Sequence, residues 1–314
     1  VLWVIHQIYR ISMGVKNLHA ALKHVKQDVH LSSLPGMRVA VDTSSFMMKG
    51  GVRHARMYFL GSLGERAPWA EYCLEIAILL REYGMTPVFV FDGKRLPIKQ
   101  ETCASRRDTR QHAKADAEQL ESFGLIDEAE KKWQQAFILE QHMEDDTLDT
   151  LVTNGVMCCV SAYESDQQMA ALWKEGIVDA VVTEDSDLLA YGVKRCIFKL
   201  KLDGHCEYYD ALNTPEEEPH QKKRKVDIML NTLSDTQIAQ LCVLSGTDYN
   251  ENVKGVGVKK VYAMLRNSSW EECLELLKVG PDLQQKMRDA LHVFLHPGEY
   301  TKSVNWEPLK DHLL

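Results

Sequence analysis

Four short apolar runs, each ending in acid, constrain this chain more than any other feature. Met37–Val41 runs into Asp42, and Thr86–Phe91 into Asp92-Gly93. Val156–Val160 leads through Ser161–Tyr163 to Glu164 and Asp166, and Asp179–Thr183 runs into Glu184-Asp185-Ser186-Asp187. Runs of this length and composition read as buried strands. Between them, Ala70–Tyr83 places Cys73, Ile76, Ala77 and Leu80 at helical spacing and stops at Gly84, and Gln167–Lys174 is a second helical stretch. Strands alternating with helices predict an α/β fold with a mostly parallel central sheet flanked by helices. Arg195–Leu200 and Cys206–Tyr209 are expected to add edge strands.

The rest of the chain is organised around that core. From Lys94 to about Asn154 the sequence is polar and nearly free of Gly and Pro, the pattern of two or three helices. Asn213–Asp227 is a hydrophilic insertion read as a loop, and its Lys222-Lys223-Arg224-Lys225 reads as a nuclear localisation signal. Ser234–His296 is helical, interrupted by the turn Lys254-Gly255-Val256-Gly257. The expected division is an extension at 1–12, a core at 13–212 with helices at 94–154, an insertion at 213–230, a helical region at 231–296 and a tail at 297–314. Met13-Gly14 resembles a natural start, and the apolar opening lacks the basic beginning of a signal peptide.

Composition excludes some classes. No run approaches the length of a membrane span. The eight cysteines form no Cys-x-x-Cys pair, which argues against a zinc site and suits buried reduced thiols. The net charge of -8 argues weakly against a general polyanion binder. Local basic runs at Lys94–Lys114, Lys222–Lys225 and Lys254–Lys260 leave a DNA grip open.

In an open parallel sheet, ligands bind outside the C-terminal ends of the strands, so the four sets of acids should converge. Converging carboxylates repel one another unless cations neutralise them. Oxygen donors of this kind select Mg²⁺ or Mn²⁺, and two such ions about 3.5–4 Å apart can clamp a phosphodiester. The plainer reading is that each acid caps the helix that follows. It explains any single strand end more easily than all four together. Glu184 is expected to play a supporting or surface role.

The motifs Phe91-Asp92-Gly93, Tyr163-Glu164-Ser165-Asp166, Thr183-Glu184-Asp185-Ser186-Asp187 and Ser245-Gly246-Thr247-Asp248-Tyr249 occur in the order typical of the flap endonuclease and 5′-exonuclease family. The resemblance covers roughly Met13 to Leu277. Phe91-Asp92-Gly93-Lys94-Arg95-Leu96-Pro97-Ile98-Lys99 and the uninterrupted Glu184–Asp187 look most like the exonuclease-one branch. The resemblance implies a PIN-like core, a helical arch over 94–154 that holds a single strand, and a C-terminal helix–two-turn–helix that grips duplex. It implies a metal set of Asp42, Asp92, Glu164, Asp166, Asp185, Asp187 and Asp248 for two Mg²⁺ ions, with Mn²⁺ able to substitute. Lys99 and Arg106 would stabilise the scissile phosphate from one helix face near Asp92.

Further contacts follow from the same resemblance. Gly14, Lys49, Arg107, Arg110, Gly255, Gly257, Lys259 and Lys260 would bind DNA, and Ser245, Asn252 and the Val256 carbonyl would hold K⁺. Met48 stands where a stacking ring is often found, and Asn252 where Ser is familiar. The implied activity is a structure-selective nuclease, exonuclease on double strands and endonuclease on 5′ flaps, acting on DNA with a 5′ end, nick or flap. A replication flap endonuclease with little exonuclease activity is the neighbouring alternative. An aspartyl phosphatase would want a second Asp two residues after Asp42, where Ser44 stands. A non-catalytic DNA scaffold would have no need of all seven acids.

Overall fold

The computed structural model describes residues 15, 18, 22, 25–34, 36–213, 228 and 230–301, with backbone alone at 100–103 and 231. Seven strands make one mixed sheet: β1 (Lys26–His30), β2 (Arg38–Asp42), β3 (Thr86–Phe91), β4 (Met157–Val160), β5 (Ala180–Val182), β6 (Arg195–Phe198) and β7 (His205–Asp210). Their order is β1-β7-β6-β5-β2-β3-β4. The block from β4 to β6 is parallel, and β7 and β1 are antiparallel additions.

Alternation along the central strands decides the layering. Ala40, Val88, Val90 and Val181 enter one core, whereas Val39, Val41, Phe89, Phe91, Ala180 and Val182 enter the other. Both faces are therefore buried, as a parallel sheet requires. One face is covered by α1 (Thr43–Val52), α3 (Pro68–Glu82) and α6 (Gln141–Thr153), with α2 (Ala55–Phe59) beside them. The other is covered by α7 (Ser165–Lys174), α8 (Asp187–Ala190), α9 (Asp235–Ser245), α10 (Val258–Leu265), α11 (Trp270–Leu276) and α12 (Pro281–Leu295). The polar stretch after Lys94 forms three helices, α4 (Gln100–Ser122), α5 (Ile126–Ala136) and α6. No helix among the described residues is long and apolar enough to cross a membrane.

Two expectations need correction. Arg195–Leu200 and Cys206–Tyr209 are not edge strands: β6 lies between β5 and β7, and β7 between β6 and β1. The edge on that side belongs to β1, whose sequence Lys-Gln-Asp-Val-His carries too little apolar patterning to announce a strand. It is held by backbone pairing with β7 and by Lys26 on Glu207. A charged strand at a sheet edge also discourages pairing with another chain.

The chain order creates the crevice. From β2 the strands step outward through β3 to β4, and the chain then returns to β5 on the other side of β2. Connections leaving β2 and β5 therefore diverge, which opens space at their C-terminal ends.

Candidate active site

Register brings the acids to one edge of the sheet. Asp42 pairs with Val90, Phe91 with Val160, and Val41 with Val182, so β2 to β5 end at nearly the same level. Two of the strand-end acids do cap the helix that follows. Asp42 caps α1 by accepting from the Ser45 amide at 3.3 Å, and Glu164 caps α7 with Gln167 as its reciprocal partner. Asp42 also accepts from Thr183 Oγ1 at 3.0 Å. Both Asp92 oxygens are taken, one by Ser44 Oγ at 2.7 Å and the other by the Ser165 amide at 2.8 Å. Asp185 accepts from the Asp187 amide at 2.9 Å.

The cluster resists ionisation. Burial pushes Asp42 up to about 6, with the Asp92 charge adding to it against hydrogen bonds from Ser45 and Thr183. Burial, followed by the charges of Asp248 and Asp42, pushes Asp185 up to about 7. Asp166 and Asp187 are held well above the carboxylate range, by burial first and then by Asp185. Asp187 Oδ1 is buried with no hydrogen-bond partner. Carboxylates buried side by side and short of donors are what a cation would stabilise.

Two cations already sit on the cluster. Lys99 Nζ is 2.7 Å from Glu164 Oε2, and one Arg106 nitrogen reaches both Asp248 oxygens at 2.7 and 2.8 Å. Burial works against the Lys99 ammonium, but Glu164, Asp166 and Asp248 outweigh it and hold its pKa well above the ordinary lysine value. The expectation that both cations lie within one helix is corrected for Lys99. Lys99 lies in the 3-10 turn Pro97–Lys99 that leads into α4, and the two cations face Glu164 and Asp248. Asp248 arrives from the turn after α9, which brings the helical region to the sheet.

Among the described residues, no three of these side chains close on one point as a ready-made coordination shell. Mg²⁺ does not require one, because it keeps several waters and takes one or two carboxylates. The all-oxygen donor set, the partnerless Asp187 oxygen and the suppressed ionisation fit such an ion.

Other expected contacts are mixed. The Lys49 ammonium pairs with Glu184, bonds the Leu200 carbonyl at 3.3 Å and lies over the Phe46 ring. Glu184, expected to play a supporting or surface role, is the partner of that ammonium. Arg107 is exposed on α4 and Arg110 half-buried. Lys259 and Lys260 are exposed in the first turn of α10, and Gly257 caps that helix. Gly255 adopts φ +78 with open space where a side chain would go. Ser245 is buried and donates to the Leu241 carbonyl at 2.7 Å, Asn252 is exposed, and Val256 is buried. Met48 packs, half-buried, against the core that contains Phe46. Gly14 and Lys222–Lys225 lie outside the described residues, but the Val15 backbone hydrogen-bonds Asp187.

Sequence reasoning missed three groups. Ser44, Ser45 and Thr183 hold Asp92 and Asp42, and their places beside the strand-end acids were the available signal. Glu144 on α6 stands near Asp92, and burial and that charge raise its pKa. Gln167, Tyr191 and Tyr249 form a buried network behind Glu164. Gln167 was legible only as the third residue after a helix cap.

Comparison with known proteins agrees with this geometry. The model of the XPG N-terminal domain matches residues 13–113, and that of the XPG I-region matches residues 155–248. Exonuclease 1 from Danio rerio is 33% identical over 266 residues, covering 85% of this chain and 32% of that protein. Exonuclease 1 from Arabidopsis thaliana is 32% identical over 294 residues, covering 92% of this chain and 39% of that protein. The chain thus spans about a third of the length of these relatives. A solved catalytic core of Rad2 in complex with DNA substrate has the same fold, with a TM-score of 0.61 at 20% identity, covering 92% of this chain and 88% of that one. Acids gathered by register and both family regions in their expected order lead to one conclusion: the chain belongs to the Rad2/XPG family of nucleases, near its exonuclease 1 branch.

Proposed function

We propose that the chain is a structure-selective DNA nuclease, a 5′→3′ exonuclease on double strands that also cuts 5′ flaps, with two Mg²⁺ ions as cofactors and Mn²⁺ as a substitute. The observation that carries this reading is the buried acidic edge, where Asp42, Asp166, Asp185 and Asp187 all resist ionisation and Asp187 keeps one oxygen without a partner. Asp42, Asp92, Glu164, Asp166, Asp185, Asp187 and Asp248 would hold the ions. Bound there, divalent cations supply Lewis-acid activation of water and neutralisation of the leaving oxygen.

The chain's own groups complete the site. Lys99 and Arg106 stand among the acids and supply positive charge where a scissile phosphate would develop negative charge. Helices α4 to α6 serve as the arch over the threaded strand, with Arg107 and Arg110 toward its backbone. The pair α9–α10 serves as the helix–two-turn–helix. Its Gly255 and Gly257 allow close approach to a phosphate, Lys259 and Lys260 add charge, and Ser245, Asn252 and the Val256 carbonyl hold K⁺. Gly14 is carried over as a DNA contact from the family resemblance alone. Lys222–Lys225 directs the protein to the nucleus, and no membrane is involved. The names of the Exonuclease 1 relatives and the DNA-bound Rad2 core support the substrate class.

The test is digestion of end-labelled blunt, nicked and 5′-flap duplexes. Cleavage should require Mg²⁺, release 5′-phosphate products and vanish in Asp185→Ala and Asp187→Ala with duplex binding retained. Turnover that persists in EDTA, or in either variant, overturns the assignment.

A further inference from the structure

Behind the acidic edge lies a chain of buried polar groups that ends on Glu164. Gln167 is fully buried, and Tyr191 and Tyr249 are nearly so. Gln167 Nε2 donates to the Tyr191 hydroxyl at 2.7 Å and to the Tyr249 hydroxyl at 3.0 Å. The two hydroxyl oxygens are 2.7 Å apart, and Tyr249 donates to Glu164 Oε2 at 3.2 Å.

The direction of every proton follows from the groups at the two ends. The Glu164 amide N–H can only donate, and it meets Gln167 Oε1 at 3.2 Å, so the Gln167 NH₂ must face the tyrosines. At the other end, Tyr249 donates its single proton to Glu164 Oε2. Tyr191 must then donate to Tyr249. Tyr249 accepts twice and donates once, which uses its full capacity. The chain has one polarity, and it ends on Glu164.

Tyr249 also acts through its ring. Lys99 Nζ lies 4.7 Å from the ring centroid on one side, while Phe294 of α12 packs edge-on at 5.2 Å. Lys99 and the Tyr249 hydroxyl therefore meet the same Glu164 oxygen, and both are located by one aromatic side chain. A carboxylate gripped at one oxygen by two fixed donors cannot turn freely, so it is presented in one orientation.

We propose that Tyr249, oriented by Gln167 and Tyr191, is a positioning residue that sets the Glu164 carboxylate for divalent-metal binding. The inference rests on the metal-dependent reading above. Outer groups that orient a ligand typically change metal affinity by about 10–100-fold when removed. Tyr249→Phe keeps the ring, its contact with Lys99 and its packing on Phe294, and loses the donor to Glu164 together with the acceptor for Gln167 and Tyr191. Tyr191→Phe likewise deletes one buried hydroxyl but leaves the Tyr249–Glu164 bond in place.

The experiment is titration of the DNA-free protein with Mn²⁺, following free Mn²⁺ by electron paramagnetic resonance, with thermal unfolding recorded for each variant. Tyr249→Phe should weaken Mn²⁺ binding about tenfold, while Tyr191→Phe stays within about threefold of wild type. Equal affinity in Tyr249→Phe and wild type overturns the inference, as does an equal loss in both variants, which would mark a generic cost of deleting a buried hydroxyl. If Tyr249→Phe unfolds more than a few degrees below wild type, Glu164→Gln decides: Tyr249→Phe must add no further loss in that background. A wild-type protein that binds no Mn²⁺ removes the metal-dependent reading itself, and this inference with it.

Discussion

Replacing Asp185 with Asn should stabilise the metal-free protein, increasingly as pH rises from about 4 to about 7. Burial and the charges of Asp248 and Asp42 push Asp185 up from 3.8 to about 7. Its neutral form is therefore favoured in the fold. The sign follows from linkage: below the unfolded value, near pH 4, the group is protonated in both states and costs nothing. As pH rises the unfolded chain ionises freely while the folded one resists, so stability is lost until the folded value is passed near pH 7.

At about 1.4 kcal/mol per tenfold, that gap corresponds to an upper bound of roughly 4 kcal/mol. Asp185 is only half-buried and keeps some solvent contact, so about 2 kcal/mol is the expected gain. Asparagine retains the oxygen that accepts from the Asp187 amide at 2.9 Å, which leaves the turn intact. The assay is urea unfolding in EDTA at pH 5, 6, 7 and 8. The variant's advantage should be smallest at pH 5, where about a third of it is already present, and reach about 2 kcal/mol at pH 8, or about 4 °C in Tm. Excess Mg²⁺ should reverse the order, since it stabilises the protein that binds it better. Refutation would be a variant no more stable at pH 8, or one whose gain is the same at every pH.

Three further perturbations separate the parts of the site. Lys99→Met should lower the single-turnover cleavage rate by about 10²–10³ while tightening Mn²⁺ binding, because a competing cation leaves Glu164; weaker Mn²⁺ binding would contradict this. Gly93→Ala should cost more than about 2 kcal/mol in urea unfolding, since its Cβ would lie 2.1 Å from the Ser161 carbonyl oxygen in a backbone approach that cannot yield cheaply. Replacing Lys259 and Lys260 together with Ala should weaken duplex binding and reduce its salt dependence by about two in log–log slope, leaving single-turnover cleavage at saturating enzyme unchanged.

Sequence patterning was strongest where a residue's role depends on its near neighbours. Apolar runs ending at Asp42, Asp92 and Asp185, and the Glu164-Ser165-Asp166 turn, were readable because strand burial and strand ends leave local marks. The edge position of β1 was not readable, since a polar strand is held by its partner rather than by its own composition. Lys99 and Arg106 were legible as a pair but not in their partners, because sequence spacing says which residues share a face and not what that face meets.

The sequence by itself determined a two-faced parallel core, with acids at its strand ends and Asp248 within a motif that resembles a known family. Only the tertiary structure decided how those acids behave. Strand register brought them to one level, the return from β4 to β5 opened the crevice, and burial among like charges raised their resistance to ionisation. It also closed the Gln167–Tyr191–Tyr249 chain from residues 24 and 58 positions apart. The physical reason is that desolvation and hydrogen-bond polarity belong to the packed neighbourhood of a group, which its flanking residues do not specify.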